Sequence, residues 1–147
     1  MVIPKNIQDE FLLDVKVLSI QYTQDQLDKV MQEYPRLTSN GFESSKSKDF
    51  ERDREELRND LAGFQAACVY LTYMKKTPEI NMDISSYGYK HRVENMGYPY
   101  LFNGTFIAAA IHMGFKMDTR PDTPNAAFNI SDPLHEKYGW WYRGQVV

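Results

Sequence analysis

The residues best suited to chemistry lie in one short stretch, Tyr87–Gly88–Tyr89–Lys90–His91–Arg92, followed closely by Glu94. A lysine, a histidine and an arginine beside two tyrosines offer the donors that bind a phosphate or an acidic partner. On a helix, the carboxylate three residues after the histidine would orient the imidazole ring. The alternative interpretation is a solvated helix face with a local charge pair, because charged helix faces mostly contact water.

Contact with nucleic acid is a further interpretation of the same region. Residues 87–115 predict two helices joined by a turn, as in many DNA-reading modules. The second helix of such a module must offer polar side chains to base edges, but here it is almost wholly apolar. The basic side chains would therefore contact phosphates without reading bases. Taken together, the candidate binding residues are Tyr87, Tyr89, Lys90, His91, Arg92, Lys75 and Lys76.

The sequence gives little support for a metal site or a catalytic centre. The available ligands include Cys68, His91, His112 and His135, and none has the spacing of an HExxH or CxxC motif. Cys68 falls on the apolar stripe of a predicted helix, where a buried thiol is inert. No GxSxG motif or glycine-rich phosphate loop is present. We therefore expect no metal, no cofactor and no enzyme activity, with a centre at His91 and Glu94 as the least favoured alternative.

The element that must position these side chains is the most apolar run of the chain, Thr105 to Met113. As a helix it has no polar face apart from His112, and the rest of a protein packs around such a helix. At about 1.5 Å per residue it is about 13 Å long, which is too short to span a bilayer. A preceding helix, capped by Ser85 or Ser86, should end at Gly97 in a left-handed conformation.

Two helices are predicted at the start of the chain. Apolar residues recur at helical spacing over residues 7–18 and again over 23–34. Thr23 and Gln26 form a capping-box pair at the start of the second helix. Pro35 should stop that helix because proline cannot continue the hydrogen-bond ladder.

A polar break and a long helix are predicted next. Residues 37–48 are polar, contain the turn signal Asn40–Gly41 and are predicted to be a flexible linker. Ser47 to Lys76 is predicted to be one long helix, because its apolar residues share a face. Its first half is highly charged and its second half should enter the core.

The C-terminal part of the chain, residues 118–147, is predicted to be a loop-rich tail with a short extended piece at 126–130. Near its end is a dense aromatic cluster, Tyr138–Gly139–Trp140–Trp141–Tyr142. Such clusters usually pin a tail to the body of a protein. The chain is thus predicted to be mainly α, a single globular helical domain over residues 1–147 around a short buried central helix.

Composition is consistent with one domain of this kind. The 147 residues are 42% hydrophobic and carry a net charge of −3, without the basic excess of a dedicated nucleic-acid binder. The single cysteine permits no internal disulfide and favours a reducing compartment. The N-terminus lacks a signal-peptide pattern, and no apolar run reaches about 18 residues. We therefore expect a cytoplasmic protein with no membrane partner.

The second half of the chain carries five short motifs in order, TPxIN, SSYGxKHxxE, YxxNGxFIAAA, GF and PNAxFNIS. The residues concerned are Thr77, Ile80, Asn81, Ser85, Ser86, Tyr87, Gly88, Lys90, His91, Glu94, Tyr100, Asn103, Gly104, residues 106–110, Gly114, Phe115 and residues 124–131. In this order they resemble an uncharacterised family of small proteins from phages, plasmids and other bacterial mobile elements. The resemblance implies a biological context, in which small proteins often act by binding.

Two functions follow as expectations. The first is a non-enzymatic binding protein of a phage or mobile element, which engages or inhibits a host protein assembly such as a defence complex in the bacterial cytoplasm. Its partner would be a host or phage protein. The alternative is a nucleic-acid-binding accessory protein that uses a basic patch around Lys90 and Arg92.

Overall fold

The computed structural model describes residues 5–137. These residues form helices that pack around a buried centre, together with two small sheets. The helices are α1 (Lys5–Leu18), α2 (Gln24–Glu33), α3 (Phe50–Arg58), α4 (Leu61–Thr72), α5 (Ser86–Asn95) and α6 (Asn103–His112). A short 3-10 helix spans Ser19–Gln21, and a further helix begins at Pro133. The strands are β1 (Leu37–Thr38), β2 (Gly41–Phe42), β3 (Lys75–Asn81), β4 (Met117–Thr119) and β5 (Ala126–Ser131).

Helix and strand make up 55% and 15% of the described residues, so the mainly-α prediction is confirmed in part. The first two helices are confirmed, and Thr23 and Gln26 form the predicted capping box at the start of α2. α5 is also confirmed: it is followed by Gly97, which has a positive φ of 110°. Ser85 occupies the N-cap position of α5, although its side chain makes no capping hydrogen bond.

Helix α6 lies at the centre of the core. Every residue from Asn103 to Ala110 is buried, and α2, α4 and α5 pack around the helix. Phe106 stacks on Tyr89 of α5 with ring centroids 5.5 Å apart and meets Phe128 of β5 edge-on. The predicted buried central helix is therefore confirmed. It begins at Asn103, two residues earlier than predicted, with Phe102 as its N-cap.

The prediction of one long helix over residues 47–76 is wrong, because the helix is interrupted at Asp60. The Asp60 carboxylate accepts a hydrogen bond from the Gly63 N–H at 3.2 Å and caps the start of α4. Its other oxygen accepts a hydrogen bond from the Thr105 hydroxyl at 2.7 Å. This contact with α6 anchors the break, and burial raises the pKa of the Asp60 carboxyl above its usual value. α4 ends at Thr72, so Lys75 and Lys76 belong to strand β3.

Residues 37–42 correct the predicted flexible linker. They form an antiparallel hairpin of β1 and β2 that turns at Asn40 and is largely buried. The Gly104 N–H donates to the Ser39 carbonyl at 2.9 Å, and the Phe42 N–H donates to the Pro124 carbonyl at 2.9 Å. These long-range bonds satisfy the backbone of a segment whose composition is typical of a loop. Residues 44–48 are exposed, as a linker would be.

A three-stranded antiparallel sheet, ordered β3-β5-β4, replaces much of the predicted loop-rich tail. The short extended piece is confirmed as β5, the central strand, in which all residues except Ser131 are buried. β4 and the helix at Pro133 were not predicted. The aromatic cluster at residues 138–142 lies outside the described residues. The correction therefore concerns residues 118–137.

The space around Gly104 leads to a stability prediction. A Cβ atom at this position would lie 1.6 Å from the Thr38 carbonyl oxygen, because β1 rests directly on α6. Gly104→Ala should therefore lower the free energy of unfolding by about 3 kcal/mol, measured by urea denaturation. The control is Gly88→Ala, where the nearest atoms belong to the Ile84 side chain and the helix gains propensity. Equal effects of the two substitutions would contradict the close approach of β1.

Candidate functional site

Helix α5 carries most of the predicted site residues, but it points them in different directions. Tyr87 is 51% exposed, and His91 and Arg92 are partly buried. Tyr89 and Lys90 are buried, at 1% and 4% exposure. This corrects the prediction for two of the candidate binding residues, Tyr89 and Lys90, which are not available on the surface. Tyr89 faces the core because its ring stacks on α6.

Glu94 organises the outer part of the site. One carboxylate oxygen lies 3.0 Å from the Lys90 ammonium and accepts a hydrogen bond from the Leu101 N–H at 2.9 Å. The other oxygen lies 3.0 Å from Nδ1 of His91. The predicted pairing of His91 with Glu94 is thus confirmed. The same carboxylate neutralises the buried Lys90 and ties the end of α5 to the loop before α6.

Two exposed tyrosines cover the Lys90 ammonium. Its nitrogen lies 4.5 Å from the ring centroid of Tyr100 and 5.4 Å from that of Tyr87, which are cation–π distances. Tyr87 also meets the His91 ring edge-on at 4.7 Å, and Tyr100 meets Phe102 at 5.3 Å. We call Tyr87, His91, Tyr100 and Phe102 the aromatic surface. Tyr100 is 59% exposed, so this surface offers large aromatic faces to solvent.

The opposite side of α5 carries a buried polar network. Arg92 donates from Nη1 to the Asp132 carboxylate at 2.9 Å, and the Tyr70 hydroxyl donates to the same oxygen at 3.1 Å. The Arg92 guanidinium also lies over the Tyr89 ring, 5.2 Å from its centroid. Burial raises the pKa of Tyr89 to about 12, against the opposing effect of Arg92. Tyr89 therefore keeps its proton at neutral pH.

This network forms the floor of a cleft of about 600 Å³ between α5, β3 and β5. Asn81 and Thr77 of β3 form one wall, and Ile84 precedes α5. Ser131, Asp132, His135 and Glu136 also line the cleft. We call it the β3–α5 cleft. Of the predicted site residues, only Tyr89 and Arg92 line it.

Sequence reasoning missed Asp132, Tyr70 and Asn81. Asp132 is 40 residues from Arg92 in the chain, so no spacing rule connects the two. A local signal was present in Asp132–Pro133, because aspartate at the N-cap followed by proline is typical of a helix start. The His135 N–H does donate to the Asp132 carboxylate, at 2.9 Å. That signal would have located the helix but not its contact with Arg92.

The predicted basic patch is divided by the fold. Lys75 and Lys76 are exposed on β3, where they pair in register with Ser131 and Ile130 of β5. The charges of Lys90 and Arg92 are compensated by Glu94 and Asp132. The surface around α5 is therefore aromatic rather than basic.

Burial shifts the pKa of two of the remaining candidate ligands, His112 and Cys68. Burial lowers the pKa of His112, whose ring packs against Tyr22 and Phe64. Burial also raises the pKa of the Cys68 thiol, which favours its unreactive protonated form. Within residues 5–137, no group of three or more histidine, cysteine, aspartate or glutamate side chains could hold a metal ion. In the same part of the chain, none of the helices has both the length and the apolar character required to traverse a bilayer.

Comparison of the chain with protein-family models, with curated proteins and with solved structures found no match. The resemblance to proteins of mobile elements therefore stays a prediction. The assignment of the site rests on the geometry of α5 and its neighbours.

The position of Glu94 predicts a large effect on stability. Glu94→Ala should leave the buried Lys90 ammonium without its counter-ion and lower the free energy of unfolding by about 3 kcal/mol. The matched control is Glu55→Ala, which breaks the exposed pair of Glu55 with Arg58. That change should cost less than about 1 kcal/mol, because water screens exposed pairs. Urea denaturation at neutral pH measures both, and equal losses would contradict the role given to Glu94.

Proposed function

We propose that this chain is a non-enzymatic binding protein that engages another protein through the aromatic surface. The observation that carries the proposal is the exposure of Tyr87 and Tyr100 above the buried Lys90. Tyrosine is among the residues that dominate binding energy at protein interfaces. Its ring gives a large contact area, and its hydroxyl can exchange a hydrogen bond with water for one with a partner.

The support beneath the surface favours the same function. Lys90 is held by Glu94, and Glu94 also accepts the Leu101 N–H, so the elements that carry both tyrosines are joined. Side chains held in place before binding lose less conformational entropy when a partner arrives. A rigid aromatic surface is thus a better docking site than the same residues on a mobile loop.

The groups that could do chemistry are engaged in structural contacts, which favours binding over catalysis. Lys90 pairs with Glu94, and Asp132 accepts hydrogen bonds from Arg92 and Tyr70. The Cys68 thiol is buried in the core. Activated nucleophiles and general bases instead need a reactive atom that substrate can approach.

The biological setting is part of the proposal. The motif resemblance supports a protein of a phage or mobile element that acts in the bacterial cytoplasm. Its partner is then a host or phage protein, and an assembly such as a host defence complex is the kind of target such proteins inhibit. The net charge of −3 also favours a protein partner over a nucleic acid.

The test compares two double variants as bait in bacterial lysate. Tyr87→Ala/Tyr100→Ala should lose the protein that the wild type captures, and with the purified partner its Kd should rise by at least about 30-fold. The control is Leu13→Ala/Ile20→Ala, which removes exposed apolar side chains from the α1 region. This control should capture the partner as the wild type does. Retention of the partner by the tyrosine variant, or an equal loss of capture in the control, would contradict the proposal.

The alternative proposal, nucleic-acid binding, is favoured by one observation, the exposure of the consecutive β3 residues Lys75 and Lys76. If these lysines contact phosphates, a gel shift at low salt should weaken steeply as the salt concentration rises. Lys75→Ala/Lys76→Ala should then abolish the shift, whereas Lys46→Ala/Lys48→Ala on the exposed segment 44–48 should not. Unchanged mobility of the wild type at low salt would remove this alternative.

A further inference from the structure

The β3–α5 cleft is a second candidate binding site, and it is separate from the aromatic surface. Its volume of about 600 Å³ falls in the range of small-molecule sites, which is roughly 300–1,000 Å³. The protein-binding function proposed above uses the outer face of α5. The cleft lies on the other side of that helix, so it is open to a different role.

An irregularity in the sheet forms one wall of the cleft. Lys76 pairs with Ile130 and Asn81 pairs with Phe128, so β3 has more residues than β5 between these two positions. Asn129 of β5 holds the displaced strand, because its amide donates to the Thr77 carbonyl at 2.8 Å. Bulges of this kind often lie beside functional sites, where they redirect side chains.

The end of this wall at Asn81 is also held by a hydrogen bond. The Asn81 side-chain oxygen accepts a hydrogen bond from the Asp83 N–H at 3.0 Å, which closes a tight turn before α5. This turn sets Asp83 and Ile84 at the side of the cleft. The wall is therefore shaped by specific hydrogen bonds.

The floor of the cleft is electrically balanced. The Arg92 guanidinium pairs with the Asp132 carboxylate, whose side chains are 12% and 4% exposed. Ile130 and the Tyr89 ring add apolar surface beside this pair. A ligand that enters the cleft therefore meets a satisfied ion pair and apolar contacts at its base.

The mouth of the cleft is negative. Asp83 and Glu136 both line it and are exposed, whereas the guanidinium in the lining is already paired with Asp132. Because Asp132 compensates the charge of Arg92, Asp83 and Glu136 leave the lining with a net negative charge, which attracts cations and repels anions. The lining thus disfavours an anion and favours a cation with an apolar stem.

From this arrangement we propose that the β3–α5 cleft binds a protonated alkylamine. The methylene groups of the ligand pack against Ile84 and Ile130, while its ammonium group faces Asp83 and Glu136. The amine belongs either to a free polyamine or to the side chain of a lysine. Both sources present the same chemistry, an ammonium group on a flexible methylene chain.

Isothermal titration calorimetry of the full chain with putrescine, spermidine and Nα-acetyl-lysine methylamide tests the proposal. At least one amine should bind saturably, and its affinity should fall as sodium chloride is added. Binding of putrescine or spermidine alone identifies a free polyamine, and binding of the lysine derivative alone identifies a lysine side chain. 1-Butanol and inorganic phosphate should not bind, because the first lacks the charge and the second has the wrong sign.

Variants at the mouth locate the site. Asp83→Asn and Glu136→Gln should each raise the Kd of the amine by roughly two- to five-fold, the effect of an exposed ion pair. The control is Asp122→Asn, an exposed carboxylate away from the cleft, which should leave the Kd unchanged. Tyr87→Ala/Tyr100→Ala should also leave it unchanged, so this result is distinguishable from the test of the aromatic surface.

Three outcomes would overturn the proposal. The first is no saturable binding of any amine at concentrations up to about 10 mM, which is ten times a Kd of about 1 mM. The second is equal binding of 1-butanol or phosphate. The third is an equal loss of affinity in Asp122→Asn and in the two cleft variants, which would show diffuse attraction to the surface.

Discussion

The structure depends on how closely other elements approach helix α6. Its C-terminal half contains Ala108–Ala109–Ala110, and these small side chains leave room for neighbouring helices to pack on several sides. Gly104 allows the β1 backbone to rest on the helix, and Thr105 reaches Asp60 at the start of α4. The all-round burial of α6 is therefore the constraint that sets the places of the hairpin, α4 and α5. Close packing of this kind leaves little freedom to shift one element without moving its neighbours.

Helix α5 connects the packing of the core to the arrangement of side chains on the surface. Tyr89 stacks on Phe106 of α6, which fixes the rotation of α5 about its axis. With this rotation, Lys90 lies inside against Glu94, and Tyr87 lies outside above it. Burial of a lysine costs free energy unless the ammonium group is paired. The burial of Lys90 therefore depends on the close contact of its ammonium group with Glu94. The aromatic surface is thus a consequence of core packing as well as of local sequence.

The two sides of α5 differ in their electrostatics although the same helix supplies both. On the outer side, a carboxylate of α5 itself neutralises Lys90. On the inner side, the partner of Arg92 is Asp132, which also caps the start of the next helix. Asp132 thereby links three parts of the fold: α5, the segment after β5, and α4, which it contacts through Tyr70. This link gives the β3–α5 cleft a rigid floor, which a binding site needs if it is to select one ligand.

The sequence by itself determined the local features: the capping box at Thr23, the stop at Gly97, the apolar helix near residues 105–113 and the pairing of His91 with Glu94. Each of these depends on residues within one or two turns, so periodicity and capping chemistry are sufficient to predict it. Tertiary structure alone decided the break at Asp60, the hairpin at residues 37–42, the burial of Lys90 and the contact of Arg92 with Asp132. These features rest on hydrogen bonds and ion pairs between residues distant in the chain or on the rotation of a helix against the core. No pattern in a single sequence predicts such contacts, because they form and stabilise the fold only when the elements are packed together.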